Sequence, residues 1–258
     1  AALDCEAGSG VASSTPARLS QQHFLRPDDP ERPRRVACCR RGAGRYVATT
    51  RDVHPTSCDK QWASNCQRNI GMAASLLGQG FMFDGTAAPT MVETGEVAHQ
   101  LYAQVSFRWH SIYMGIVMVY DATDPINRVH CRLVWAHPSE ALTPATARNA
   151  SASGWRWVDP GGITGADFIP LNSTVPPGGN AFDSHLCYAA PPVHTPAGER
   201  LYYMGSNGPH SGSHPPRNAS LGLAYLRTDG FAGIAGSGTL TTVPLVVGGK
   251  TLTLTLDV

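Results

Sequence analysis

Residues able to do chemistry concentrate in the last third of this chain. Asp183 and His185 stand two apart, so on an extended strand their side chains share a face. Asn207 and His210 follow an aromatic run and sit in a Gly-flanked loop. A strand carrying the first pair and an antiparallel neighbour leading to the second would bring all four to one rim. A carboxylate flanked by imidazoles and an amide suits a hydroxyl-rich ligand such as a sugar. Trp109, at a hairpin tip beside His110, could stack on the apolar face of that sugar. Each residue also has a plainer reading. Asp183 can cap a strand entry or an Asx-turn. His185 can be a hydrogen-bonded strand histidine, and Trp109 can pack on its neighbour. Asp28-Asp29-Pro30 reads as a β-turn, Glu96 as a solvated carboxylate, and Asp121 and Asp124 as loop residues whose role stays open.

Other chemistries find no footing. The sequence has no nucleophile elbow, phosphate loop, HExxH or dinucleotide fingerprint. No CxxC pair or His/Cys cluster has zinc spacing, and neither metal nor cofactor is expected. The net charge of +1 with 15% charged residues lacks the concentrated basic surface that nucleic acid requires. The basic run at 32–41 is interleaved with Val36, Ala37, Cys38 and Cys39 and reads as a strand with a wet face. No stretch reaches the roughly 20 apolar residues of a membrane helix.

Two signals point outside the cell. Three of the eight asparagines open N-x-Ser/Thr acceptors, Asn149, Asn172 and Asn218, where chance gives about one. All three lie in Pro/Ser/Gly-rich loops that could carry a glycan. The seven cysteines are the second signal. Cys58 and Cys66 bracket a polar loop, and a bridge there would staple it. Cys38 and Cys39 are adjacent and must point to opposite faces, so at most one meets Cys5 comfortably. An odd count leaves a free thiol or a partner elsewhere. The chain starts without Met and stops inside a strand-like run, which reads as a segment of a longer secreted protein.

The elements that must position these residues are strands. The 27 glycines and 20 prolines punctuate short alternating, aromatic or β-branched runs. After a lead-in at 1–20, one order of parts repeats three times, over about 21–92, 93–165 and 166–236. The first unit has strands at 34–39, 45–49, 69–75 and 80–83, with the apolar run His23 to Leu25 as a further strand. The second has 102–107, 111–120, 129–135 and 154–158. The third has 186–190, 200–205, 220–226 and 230–234. Four-strand antiparallel units repeated in this way predict all-β blades of a β-propeller, with a β-sandwich as the alternative. Residues 237–258, with Gly248-Gly249 between two apolar runs, read as the first hairpin of a C-terminal β-sandwich.

Several stretches resemble five-bladed β-propeller proteins related to glycoside hydrolase families 32 and 43. They are Arg68 to Ser75, Phe168 to Leu171, Phe182 to Ser184 leading into Cys187 to Ala190, Leu201 to Gly208, and Leu221 to Phe231 followed by Gly238 to Leu245. The resemblance implies the last three blades and the opening of the sandwich. It further implies Asp183 as a catalytic carboxylate and His185, Asn207, His210 and Trp109 as sugar contacts. On that reading the protein acts on or binds extracellular polysaccharide. Relatives carry an Asp-rich turn between third and fourth strands, where this chain has Leu76 to Gly80 and His137 to Glu140. That difference supports the alternative of a degenerate propeller serving as a structural or carbohydrate-binding module of a matrix, coat or filament. Further blades would come from more chain or from other copies.

Overall fold

The computed structural model describes residues 98–137, 154–172, 181–210, 218–242, 244 and 248–249, the strands at 23–25, 46–53, 68–75 and 82–83, and the side chains of Arg68 and Ile70. The lead-in at 1–20, the run at 34–39, Asp28, Asp29, Glu96, Cys58, Cys66, Asn149 and residues 250–258 lie outside the described residues. The architecture is all-β. One turn of 3-10 helix, Gly162–Thr164, is the helical element among the described residues, and no helix there is long and apolar enough to cross a membrane.

Among the described residues twelve strands follow in order: β1 His23–Leu25, β2 Tyr46–Val53, β3 Arg68–Ser75, β4 Met82–Phe83, β5 His99–Trp109, β6 Ile112–Asp121, β7 Val129–Ala136, β8 Trp155–Trp157, β9 Leu186–Ala189, β10 Val193–Thr195, β11 Gly198–Ser206 and β12 Ala219–Leu226. The first unit is a separate antiparallel sheet in the order β1-β2-β3-β4. The second is an antiparallel meander, β5 through β8. In the third, β9 and β10 both pair with β11, and β11 pairs with β12.

Three expectations change. The second and third units are joined in one mixed eight-stranded sheet, because Val129 of β7 pairs parallel with Leu186 of β9. The third unit has no fourth strand at 230–234. The chain turns there through Asp229 at φ 59°, and Phe231 packs into the core against Phe107, Trp109 and Phe168. Burial of that ring outweighs its value on a sheet edge. Residues 239–242 carry no strand and are exposed, so the expected hairpin does not begin there.

The long strands β5, β6 and β7 are buried on both faces, which matches their unbroken apolar runs. One face carries Leu101, Val117, Val119 and Val134 and packs with Ile70 of β3. The other carries Val105, Ile116, Met118 and Leu133 and packs with Cys187, Ala189, Leu201 and Phe231 of the third unit. The second unit therefore lies between the other two.

A disulfide joins Cys131 of β7 to Cys187 of β9, with Cα atoms 5.8 Å apart and 56 residues between them in sequence. The cysteine pattern alone did not pair these two, because their adjacency comes from the parallel β7–β9 contact. Closing a loop of this length restricts the unfolded chain strongly. Cys131→Ala should lower unfolding free energy by about 2–5 kcal/mol in urea titrations. A non-reducing peptide map should show the two cysteine peptides linked.

Candidate functional site

Strand directions collect the polar residues at one end of the large sheet. There β5 begins, β6 ends, β7 and β9 begin, and β11 ends. The backbone of His185 ties three of them together. Its N–H donates to the Ser206 carbonyl at 3.0 Å, and its own carbonyl accepts from Val129 N–H at 3.0 Å. Asn207 continues β11 and closes the next turn. Its Oδ1 accepts from Asn218 N–H at 2.9 Å, and its N–H donates to the Asn218 carbonyl.

Asp183 and His185 precede β9 rather than standing on it, in a turn that runs to residue 185. Asp183 accepts a hydrogen bond from Tyr203 Oη at 2.9 Å. A Cβ on Gly205 would sit 2.8 Å from the Asp183 Cβ, and one on Gly222 would sit 2.3 Å from the Tyr203 ring. Both positions are glycine because a side chain lies flat on their backbone. Burial, then the Asp183 hydrogen bond and charge, push the Tyr203 phenol up to about 12.

His185 is fully buried. Its Nδ1 lies 2.6 Å from Ser184 Oγ, and its Nε2 meets no partner among the described residues. Burial holds its pKa below the usual imidazole value; the Arg128 guanidinium adds to this and Asp124 opposes it.

His210 occupies the centre of an aromatic group that sequence reading missed. Its Nδ1 lies 3.0 Å from Tyr188 Oη, its ring meets Tyr102 edge-on at 4.8 Å and Tyr120 at 5.4 Å. Tyr120 donates to Asn127 Oδ1, and His210 N–H donates to the Asn127 carbonyl at 3.3 Å. The Arg68 guanidinium lies 5.0 Å over the Tyr102 ring and donates to Gln100. Tyr102 reaches this group where the β5–β6 register shifts between Leu101 and Ala103. A bulge leaves no mark in sequence; the aromatic strand ends were the one usable signal.

Trp109 lies elsewhere. It ends β5, seven residues and about 23 Å along the strand from Tyr102, at the opposite end of the sheet. Its Nε1 donates to Asp229 at 2.8 Å, and Phe231 and His194 flank its ring. The structure thus brings Asp183, His185, Asn207 and His210 to one sheet end and keeps Trp109 apart. Asn172 and Asn218 are exposed.

The other carboxylates near this end are engaged. Asp121 accepts from Thr123 N–H, Thr123 Oγ1 and Asp124 N–H. Asp124 accepts from Ile126 N–H and pairs with Arg128 at 2.6 Å. Asp167 faces His130 at 2.9 Å and Arg132 at 3.5 Å. Asp121, Asp124 and His130 bring one potential ligand atom each within 4.8 Å of one another, yet these groups already build the β6–β7 turn and the Asp167 contact.

No known protein-family profile matches the chain, and no curated protein does. One similar solved structure is described as a glycoside hydrolase, with TM-score 0.41 and 9% identity over 71% of this chain. The chain spans 42% of that protein's length. A likeness of that order carries neither fold nor activity across.

Two outcomes follow from this geometry. Gly222→Ala forces the Tyr203 ring off its seat and breaks its bond to Asp183, so unfolding free energy should fall by about 1–3 kcal/mol, read as a lower urea midpoint. His185 has a folded pKa below its unfolded value, so between the two the unfolded chain binds more protons. Stability should therefore fall as pH drops below about 6.5. His185→Asn should flatten the midpoint-against-pH curve between pH 7 and 5.

Proposed function

We propose that this chain is a carbohydrate-binding segment of an extracellular β-propeller, and that it binds sugar without hydrolysing it. The observation that carries the reading is half-buried His210 held by half-buried Tyr188, over the buried rings of Tyr102 and Tyr120; Asn207 and Asp183 lie at the same end of the sheet. The half-buried rings of Tyr188 and His210 suit the apolar face of a pyranose, and the imidazole and phenol suit its hydroxyls. Repeated antiparallel strand units support the propeller, although the second and third are joined in one sheet. The Cys131–Cys187 disulfide and the exposed acceptors Asn172 and Asn218 support an oxidising, extracellular setting.

Binding is favoured over catalysis by the state of the carboxyls. Hydrolysis needs one carboxyl to protonate the leaving oxygen and a second to attack or activate water. Asp183 is bonded to Tyr203, and Asp121, Asp124 and Asp167 are committed to turns or ion pairs.

The test is a polysaccharide array followed by calorimetry on the best ligand. His210→Ala and Tyr188→Ala should each weaken binding about tenfold or more, some 1.4 kcal/mol, with unchanged circular dichroism. No reducing ends should appear on long incubation. Reducing sugar released by the natural chain and abolished by Asp183→Asn would establish a hydrolase instead. Equal affinity in all variants would remove the site.

A further inference from the structure

The end of the sheet opposite the His210 group carries a second set of polar donors, drawn from three separate turns. His110 forms the tip between β5 and β6, His194 lies on β10, and Asp229 forms the turn after β12. Their side chains are 71%, 61% and 55% exposed. Trp109 stands between the two imidazoles, with ring centroids 5.3 Å from His110 and 6.0 Å from His194. Asp229 Oδ1 lies 2.8 Å from His110 Nε2 and accepts from Trp109 Nε1 at 2.8 Å. The His110 hydrogen bond holds the Asp229 carboxyl below its usual value. Burial opposes this, while the Trp109 bond and the charges of His110 and His194 add to it. Both imidazoles thus act on one carboxylate.

A second observation stands behind this cluster. Glu199 is fully buried at the start of β11, directly opposite His194. Its Oε1 lies 2.9 Å from His194 Nδ1, and its Oε2 has no partner among the described residues. A carboxylate taken out of water for one hydrogen bond is costly. What it accomplishes is to accept from Nδ1–H, which fixes the tautomer that leaves Nε2 as a lone-pair donor on an exposed ring. Carboxylates orient histidines toward metal ions in this way. We propose that His194 Nε2, His110 Nε2 and Asp229 Oδ1 bind a divalent transition-metal ion of the zinc and copper class, with Glu199 as a positioning residue. Two imidazoles and a carboxylate suit such ions, whereas calcium and magnesium take oxygen donors. The ion replaces the proton between His110 and Asp229, so binding releases that proton. His194 is held from behind, and His110 and Asp229, exposed on turns at φ 49° and 59°, close on it. The ion then clamps the third unit to the second at the end away from the Cys131–Cys187 bond. A tighter set of donor atoms, Asp121, Asp124 and His130 within 4.8 Å, has Asp124 already paired with Arg128 and serves as the control.

The experiment is calorimetric titration of Zn²⁺ into the full chain after its free thiols are alkylated. The expected result is a one-to-one site with Kd below about 100 μM. Repeating the titration in buffers of different ionisation enthalpy should show proton release. His110→Ala, His194→Ala and Asp229→Asn should each remove the site, and unchanged circular dichroism checks that these exposed changes spare the fold. Glu199→Gln should weaken zinc about 10–100-fold and shrink the rise in unfolding temperature that zinc gives the natural chain. His130→Ala should leave the site unchanged. A Kd above about 100 μM, equal binding in the three ligand variants, or a loss confined to His130→Ala would each overturn the proposal. Unaltered affinity in Glu199→Gln would overturn the positioning role. Sugar binding is read at the other end of the sheet, so failure here leaves the carbohydrate reading to its own test.

Discussion

The contact on which the rest depends is the short parallel meeting of β7 and β9. Val129 pairs with Leu186, the His185 carbonyl holds Val129, and Cys131 is bonded to Cys187 a residue or two further on. Parallel neighbours cannot be joined by a tight turn, and here 49 residues separate the two strand edges, from Ala136 to Leu186. A few hydrogen bonds between such distant segments are weak against the entropy of closing the loop. The disulfide removes most of that cost, which makes a brief pairing enough to seat the third unit on the second.

Seating that unit decides the core. The middle strands are apolar on both sides, so they need cover on both. One cover comes from β3 through Ile70 and the other from Leu201, Cys187, Ala189 and Phe231. Phe231 also explains why the third unit stops at three strand positions. A ring that packs with Phe107, Trp109 and Phe168 removes more apolar surface from water than it could on an outer edge. The Asp229 turn, held by Trp109 and His110, aims the chain inward to deliver it.

The same contact sets the polar end. By fixing where β9 begins against β7 and β11, it places His185 in a buried position and brings Tyr188 to His210. Most polar groups there pair with one another, Asp183 with Tyr203, Asn207 with Asn218 and Asp124 with Arg128, while His185 Nε2 has no partner among the described residues. Buried polar groups left without partners are costly, so a sheet end this crowded spends its carboxylates on structure. Tyr102, Tyr120 and Asn207 are buried there, and Tyr188 and His210 are the half-buried rings at its edge.

Local pattern was legible in the sequence wherever it governs one strand at a time. Alternation and apolar runs located β5, β6, β7, β11 and β12 within a few residues, because side-chain period and burial are properties of a single strand. Strand order also placed Asp183, His185, Asn207 and His210 toward the same end of the sheet, since antiparallel neighbours return to that end; their separate partners were not legible. What joins strands far apart in sequence was not legible. The Cys131–Cys187 bond, the bulge that turns Tyr102 toward Tyr120, the burial of Phe231 and the placing of Trp109 at the far end all depend on which faces meet. Sequence encodes the faces, whereas their partners are chosen by packing across the whole molecule, where area removed from water and loop closure are weighed together.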